Sequence, residues 1–187
     1  MGIKMWPTLY QTVLAAPLKI DGIKVWAVMK GFGDFPFQGQ AKLVIKTNGV
    51  EDESALINLG RLMVWTTYSN EWALNPITAE PWTEAEVAAL QAGVDLAGEW
   101  RGTYRKHSYC TQLYVEVSIG GVAKVLRPNA AGDKCLVGGQ VGDACPNHWK
   151  NVDEDPSDDD TTYVWAGIVP NSGFYMDLYN LQDLSEV

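Results

Sequence analysis

The chain is poor in the residues from which active sites are most often assembled. Its 187 residues include two histidines, His107 and His148, and three cysteines, Cys110, Cys135 and Cys145. No Cys or His pair has the short spacing expected of a zinc site. No spacing among Glu71, Glu80 and Glu116 singles out the carboxylate pair of a glycosidase. His107 stands three residues before Cys110, but neither lies in a nucleophile motif. No enzyme and no resident cofactor are therefore expected. Basic residues are also scarce, 14 Lys and Arg against 23 Asp and Glu, for a net charge of −9. Without a basic stripe to neutralise phosphates, nucleic acid is excluded as a partner. No apolar run approaches the roughly 20 residues of a membrane-spanning helix. Residues 1–19 have a faint signal-peptide look, but Pro7 and Gln11 break the apolar part, and they read as an N-terminal arm.

What the sequence does have is turn-formers and aromatic residues: 18 Gly, 9 Pro, 8 Trp and 8 Tyr within a 47% hydrophobic composition. That is enough apolar material for one domain of aromatic-rich strands, residues 20–187. Ile23, Val25, Ala27 and Met29 alternate with Lys24, Trp26, Val28 and Lys30, the period-two pattern of a strand with one dry face. Ala41 to Thr47 repeats it with Leu43 and Ile45 inward, and Asn48-Gly49 is a turn. Residues 55–74 read as two strands, ALINL and RLMVWTTYSNEWAL. Cys110 to Ile119 is the clearest strand, with Leu113, Val115, Val117 and Ile119 on one face. VAKVLRPN (122–129) reads as a short strand running into a turn, and Thr161 to Ala166 and Phe174 to Leu181 also fit strands, whereas 31–40 and 98–109 read as loops and 129–147 as Gly-rich and irregular. Strands this short, with a turn every ten residues or so, predict an all-β, antiparallel β-sandwich of jelly-roll type.

One helix interrupts the strands, predicted at about 83–93. Thr83 and Glu86 have the spacing of a capping box, and Trp82 and Val87 that of a hydrophobic staple. Glu84 and Glu86 suit the positive end of the helix dipole. Val87, Leu90 and Val94 follow at spacings of three and four, and Gly93 reads as the stop.

Three groups stand out as candidate sites. Asp153, Asp155, Asp158 and Asp160, in a run with Glu154 and Asp159, supply enough oxygen ligands for Ca²⁺, although the spacing is not that of an EF-hand and equally suits a solvated turn. Trp100, with Arg101 and Tyr104, is the most site-like aromatic group for stacking on a sugar. Cys135 and Cys145, ten residues apart in a Gly-rich segment, are a disulfide candidate, while Cys110 reads as a buried free thiol.

NPITAEPWTEAEVAALQAGV (75–94) followed by YCTQLYVEV (109–117) resembles a β-sandwich domain common in structural proteins of tailed bacteriophages and in related environmental surface proteins. LRPN (126–129), NVDEDPSDDDTTYV (151–164) and DLYNLQDL (177–184) resemble the opening half of the same domain. The order is permuted: the second-half block occupies 20–121 and the first-half block 122–187. The C-terminal block either closes the sandwich of its own chain or exchanges with a neighbouring subunit. The resemblance implies a non-enzymatic virion structural protein, a capsid decoration or tail component, whose partners are copies of itself and other virion proteins. Two alternatives differ in class: a module that binds host-surface glycans, and a subunit of an extracellular, cell-surface filament assembled by strand exchange.

Overall fold

The computed structural model describes residues 18–101, 104–139, 145–156, 162–167 and 173–186. Nearly all of the predicted arm at 1–19 lies outside them. The described residues form twelve strands, one short α-helix and two 3-10 turns, and every strand pairing is antiparallel. No helix among them is long and apolar enough to cross a membrane.

The first layer is built on β1 (Ile20–Gly33) and β7 (Tyr104–Ile119), which pair from Ile20↔Ile119 to Gly33↔Lys106. β5 (Thr66–Trp72) borders β1, and β8 (Val122–Leu126) and β11 (Val164–Ala166) border β7. A two-residue β10 (Gly138–Gly139) extends β11. In the second layer β2 (Gly39–Thr47) lies beside β6 (Gln91–Arg101), with β3 (Val50–Glu53) and β4 (Ile57–Gly60) on its outer side. The other side of β6 carries β12 (Gly173–Leu181) and then β9 (Pro128–Cys135), so two strands of the C-terminal block complete the second layer, while its β8, β10 and β11 extend the first.

The two layers are one sheet curled on itself. β6 pairs with β2 and β12 through residues 91–98, then turns the corner to pair with β7 at Glu99↔Lys106 and Trp100↔Arg105. Gly98 stands at the corner, where a Cβ would come within 2.6 Å of the Gly167 amide nitrogen. Between the layers the alternating apolar residues meet in one core. Ile23, Val25, Ala27 and Met29 of β1 and Leu113, Val115 and Val117 of β7 join Leu43 and Ile45 of β2 and Ala92, Val94 and Leu96 of β6. Each fully buried Val, Leu or Ile contributes about 1.5–3 kcal/mol.

Three expectations need correction. The helix α1 covers only Glu84–Ala88. Its predicted cap is present: Thr83 Oγ1 accepts from the Glu86 amide, and Glu86 Oε2 accepts from the Thr83 amide at 2.9 Å. Beyond Leu90, however, the chain is extended. Val94 belongs to the period-two series Ala92, Val94, Leu96, and Gly93 is no helix stop. It lies where a methyl group would overlap the Asp177 carbonyl oxygen of the adjacent β12. The second correction concerns 98–109, which is the β6–β7 corner and not a polar loop. Much of 129–147 is likewise strand, in β9 and β10. Finally, β5 begins only at Thr66, which leaves the apolar residues Leu62, Met63 and Val64 outside any strand.

Candidate functional site

Four features have the make-up of sites. The first is an apolar end. The 34–37 and 61–64 loops sit side by side: Phe32 bridges Leu62, the Met63 amide donates to the Gly31 carbonyl at 3.1 Å, and the Arg61 guanidinium lies 5.2 Å from the Phe35 ring. Phe35 is 77% exposed, Leu62 85%, Val64 60% and Met63 41%. A shallow depression of about 390 Å³ lined by Leu59, Arg61, Leu62 and Val64 adjoins them. Folding has not buried these side chains, because their loops run past the edge of the core.

The second is a groove on the outer face of the first layer, about 510 Å³, lined by Trp65, Tyr114, Gln112, Thr67, Arg127 and Asp155 among others. The outward positions of β1 and β7 supply an aromatic tract beside it. Trp26 stacks on Tyr114 with ring centroids 6.0 Å apart, and His107 stacks on Trp165 at 5.8 Å and on Tyr109 at 6.1 Å. Cations cover several rings: Lys30 Nζ stands 4.1 Å from Trp65, and the Arg127 guanidinium 5.5 Å from Tyr114. Burial holds the His107 imidazole below its ordinary pKa, with the Arg105 charge adding to the effect.

The third is a polar cluster where β9, β12 and the 3-10 turn Asn147–Asn151 meet. Asp177 is fully buried, and three donors and a His ring nitrogen surround it. Its Oδ1 accepts from the Leu136 amide and, at 3.0 Å, from the Val137 amide, while its Oδ2 lies 2.9 Å from His148 Nδ1 and 3.2 Å from the Tyr179 hydroxyl. His148 Nδ1 is also 3.3 Å from Cys135 Sγ and 3.9 Å from Cys145 Sγ. Cys135 and Cys145 are joined as a disulfide, with Cα atoms 5.9 Å apart. Three chemically active side chains thus surround His148 Nδ1 within 3.9 Å, Cys135 and Cys145 from the same 14-residue stretch and Asp177 from a distant strand.

The fourth is a lattice of charges on the outer face of the second layer. Lys42 pairs with Glu53, Lys46 with Asp133, and Lys134 with Glu51 at 2.7 Å. Asp95 lies among them, 5% exposed, and its Oδ1 has no hydrogen-bond partner. Burial pushes its carboxyl up to about 6, with the Glu53 charge adding to the rise and Lys42 opposing it.

The residues singled out in the sequence are distributed unevenly among these. Of the calcium candidates, Asp158 and Asp160 lie outside the described residues. Asp155 pairs with Arg127 at 2.7 Å, so a cation there competes with a guanidinium already in place. Asp153 is half-buried, and burial raises its carboxyl above the ordinary range. Between them the Glu154 carbonyl accepts from Gln112 and Arg127, which ties the run to the first layer. Of the glycan candidates, Trp100, Arg101 and Tyr104 have backbones paired at the β6–β7 corner, and their side chains lie outside the described residues. The aromatic groove is elsewhere and was not singled out in the sequence, although Val28, one of the outward positions in the β1 alternation, lines it. The Cys–His–Asp cluster was also missed. Cys145 and His148 are three apart, a spacing passed over when no Cys or His pair was read as a zinc site, and Asp177 is brought in only by the pairing of β12. Cys110 is a free thiol buried within β7, and burial pushes it up to about 12, which leaves it unreactive at neutral pH.

No family model matches the chain, and neither does any curated protein or solved structure.

Proposed function

We propose that this chain is a non-enzymatic structural protein that assembles with copies of itself, in the setting its sequence blocks suggest: a tailed-phage virion, as a capsid decoration or tail component alongside other virion proteins. The observation that carries the reading is the apolar end formed by Phe35, Leu62, Met63 and Val64. Contiguous exposed apolar side chains of this size are uncommon on monomers and mark contact surfaces. Burying a Phe or Leu against a second copy contributes about 1.5–3 kcal/mol each, and closed symmetry multiplies such contacts. The sheet edges are built differently. Two of them, β3 with Glu51, Asp52 and Glu53 and β5 with the mostly polar TTYSNEW, discourage uncontrolled strand addition.

The test is the mass of the protein in solution across a concentration series, by light scattering and sedimentation. The expected result is a defined oligomer that Phe35→Asp with Leu62→Lys reduces to a folded monomer. A wild type that stays monomeric at high concentration, or a double variant that assembles unchanged, rejects the reading.

The groove at Trp65 and Tyr114 favours a second reading, binding of a host-surface glycan. Flat rings flanked by Gln112, Thr67 and Arg127 offer stacking surfaces beside hydrogen-bonding groups. A glycan array probed with wild type and Trp65→Ala separates the two: no signal above background removes the glycan reading without touching the assembly one.

A further inference from the structure

We propose that the cluster of Cys135, Cys145, His148 and Asp177 is a zinc site in the reduced protein, so that the same side chains hold this corner of the fold by a disulfide when oxidised and by a metal when reduced. Three potential ligand atoms, Cys135 Sγ, Cys145 Sγ and His148 Nδ1, lie within 4.8 Å of one another. Asp177 Oδ2 is 2.9 Å from the same nitrogen. Tetrahedral zinc, with Zn–S of about 2.3 Å and Zn–N and Zn–O of about 2.0–2.2 Å, places neighbouring ligand atoms roughly 3.4–3.8 Å apart. The two sulfur–nitrogen separations, 3.3 and 3.9 Å, straddle that range, and the nitrogen–oxygen separation needs only a small widening. The two sulfurs must part, and Cys145 is free to do so because it lies exposed at the start of its turn.

The donor set has the composition of a structural zinc site, two soft thiolates with an imidazole and a carboxylate. The surroundings supply the outer hydrogen bonds that such sites need. Backbone N–H groups of Leu136 and Val137 fix Asp177 Oδ1, which leaves Oδ2 aimed at the cluster, and the Tyr179 hydroxyl steadies it from behind. His148 is 3% exposed and Asp177 0%, so two ligands are already in place before any metal arrives.

The chemistry balances in two steps. A dithiol reductant gives two electrons and two protons to the Cys135–Cys145 bond and becomes a disulfide itself, leaving two thiols. Zn²⁺ then replaces the two thiol protons, which pass to solvent, and takes the place of the proton on His148 Nδ1, which moves to Nε2. An incoming disulfide takes two electrons from the two thiolates and two protons from solvent to become a dithiol, the Cys135–Cys145 bond re-forms, and Zn²⁺ is released. The site would thus keep β9, the 3-10 turn and β12 together in reducing and in oxidising surroundings alike.

The experiment uses the full chain, reduced with a phosphine and titrated anaerobically with Co²⁺ as a spectroscopic probe, then with Zn²⁺. One equivalent of Co²⁺ is expected to produce thiolate charge-transfer bands with tetrahedral d–d bands, bleached by one equivalent of Zn²⁺, and the oxidised protein to produce neither. Cys145→Ser is expected to abolish the charge-transfer bands of the paired thiolates, and Asp177→Asn to weaken Zn²⁺ at least about tenfold. Because a buried variant can fail to fold, alkylation of the reduced wild type gives an independent reading: Zn²⁺ should protect Cys135 and Cys145, located by peptide mapping. Reduced wild type with no tetrahedral cobalt spectrum, or Cys135 and Cys145 alkylated equally fast with and without Zn²⁺, overturns the proposal.

Discussion

Replacing Asp95 with Asn should stabilise the protein at neutral pH, although the substitution removes a charge from beside two lysines. Asp95 lies on the outer face of β6, 5% exposed, with its Oδ1 unpartnered. Its carboxyl moves from an ordinary value of 3.8 to about 6, chiefly because burial disfavours the anion and secondarily because Glu53 repels it, against the attraction of Lys42 and Lys134. A raised carboxyl pKa means that the folded state holds the proton more tightly than the unfolded chain does. The destabilisation is therefore fully present above about pH 6, is relieved as the pH falls from 6 towards 4, and is absent below the unfolded value. A pKa difference of about two corresponds to roughly 3 kcal/mol, an upper bound because water and the lysines screen part of it. Asn keeps the shape and carries no charge, so Asp95→Asn should gain about 1–3 kcal/mol at pH 7 and flatten the slope of stability between pH 4 and 6. Urea denaturation at half-unit pH steps measures both quantities. If the variant is less stable than wild type at pH 7, the attraction of the lysines outweighs desolvation, and the account of this site is wrong.

Further substitutions test the parts that hold the sandwich together. Gly93→Ala should cost several kcal/mol and lower the expression of folded protein, because the new methyl meets the Asp177 carbonyl of a central strand pair; thermal melting near wild type would contradict this. Thr83→Ala should cost about 1 kcal/mol by removing one half of the capping box, readable as a shifted denaturation midpoint at constant slope. Glu86→Ala should cost more, since the Glu86 carboxylate also accepts from Asn75 at 2.9 Å and from Asn48 at 3.3 Å, and loss of Thr83 leaves those two bonds intact. Reducing the disulfide with chelator present should cost about 2–3 kcal/mol, the figure expected for closing a loop of this length; a denaturation midpoint unmoved by reductant would show that the loop is held by other contacts.

The layers were legible wherever one face is dry and the other wet. β1, β2 and β7 show this in their plain alternation, and their inward residues are those the period names. The helix start was legible for a different reason, because capping is chemistry between residues three apart. Its end was not. Val87, Leu90 and Val94 mimic a helical stripe, but Leu90 and Val94 also fit the strand series that continues to Leu96, and only the partner strands decide between the two. Leu62, Met63 and Val64 read as the start of a strand because they are apolar, whereas their place beyond the sheet edge depends on where β5 meets β1. The Cys–His–Asp cluster depends on β12 returning beside β9, a pairing across 42 residues that no local pattern encodes (Cys135↔Asp177).

The curled sheet also sets the order in which the chain can become protein. Val25 must find Val115, ninety positions along, and Val94 must wait for Asp177 before its second edge is satisfied. Between Ile20 and Thr47 only β2 has near partners, β3 and β4, so β1 leaves the ribosome as an apolar strand without a neighbour until β5 and β7 follow. Folding should accordingly be slow for a chain of this size, gated by long loop closures, and most exposed to aggregation just before the C-terminal strands arrive.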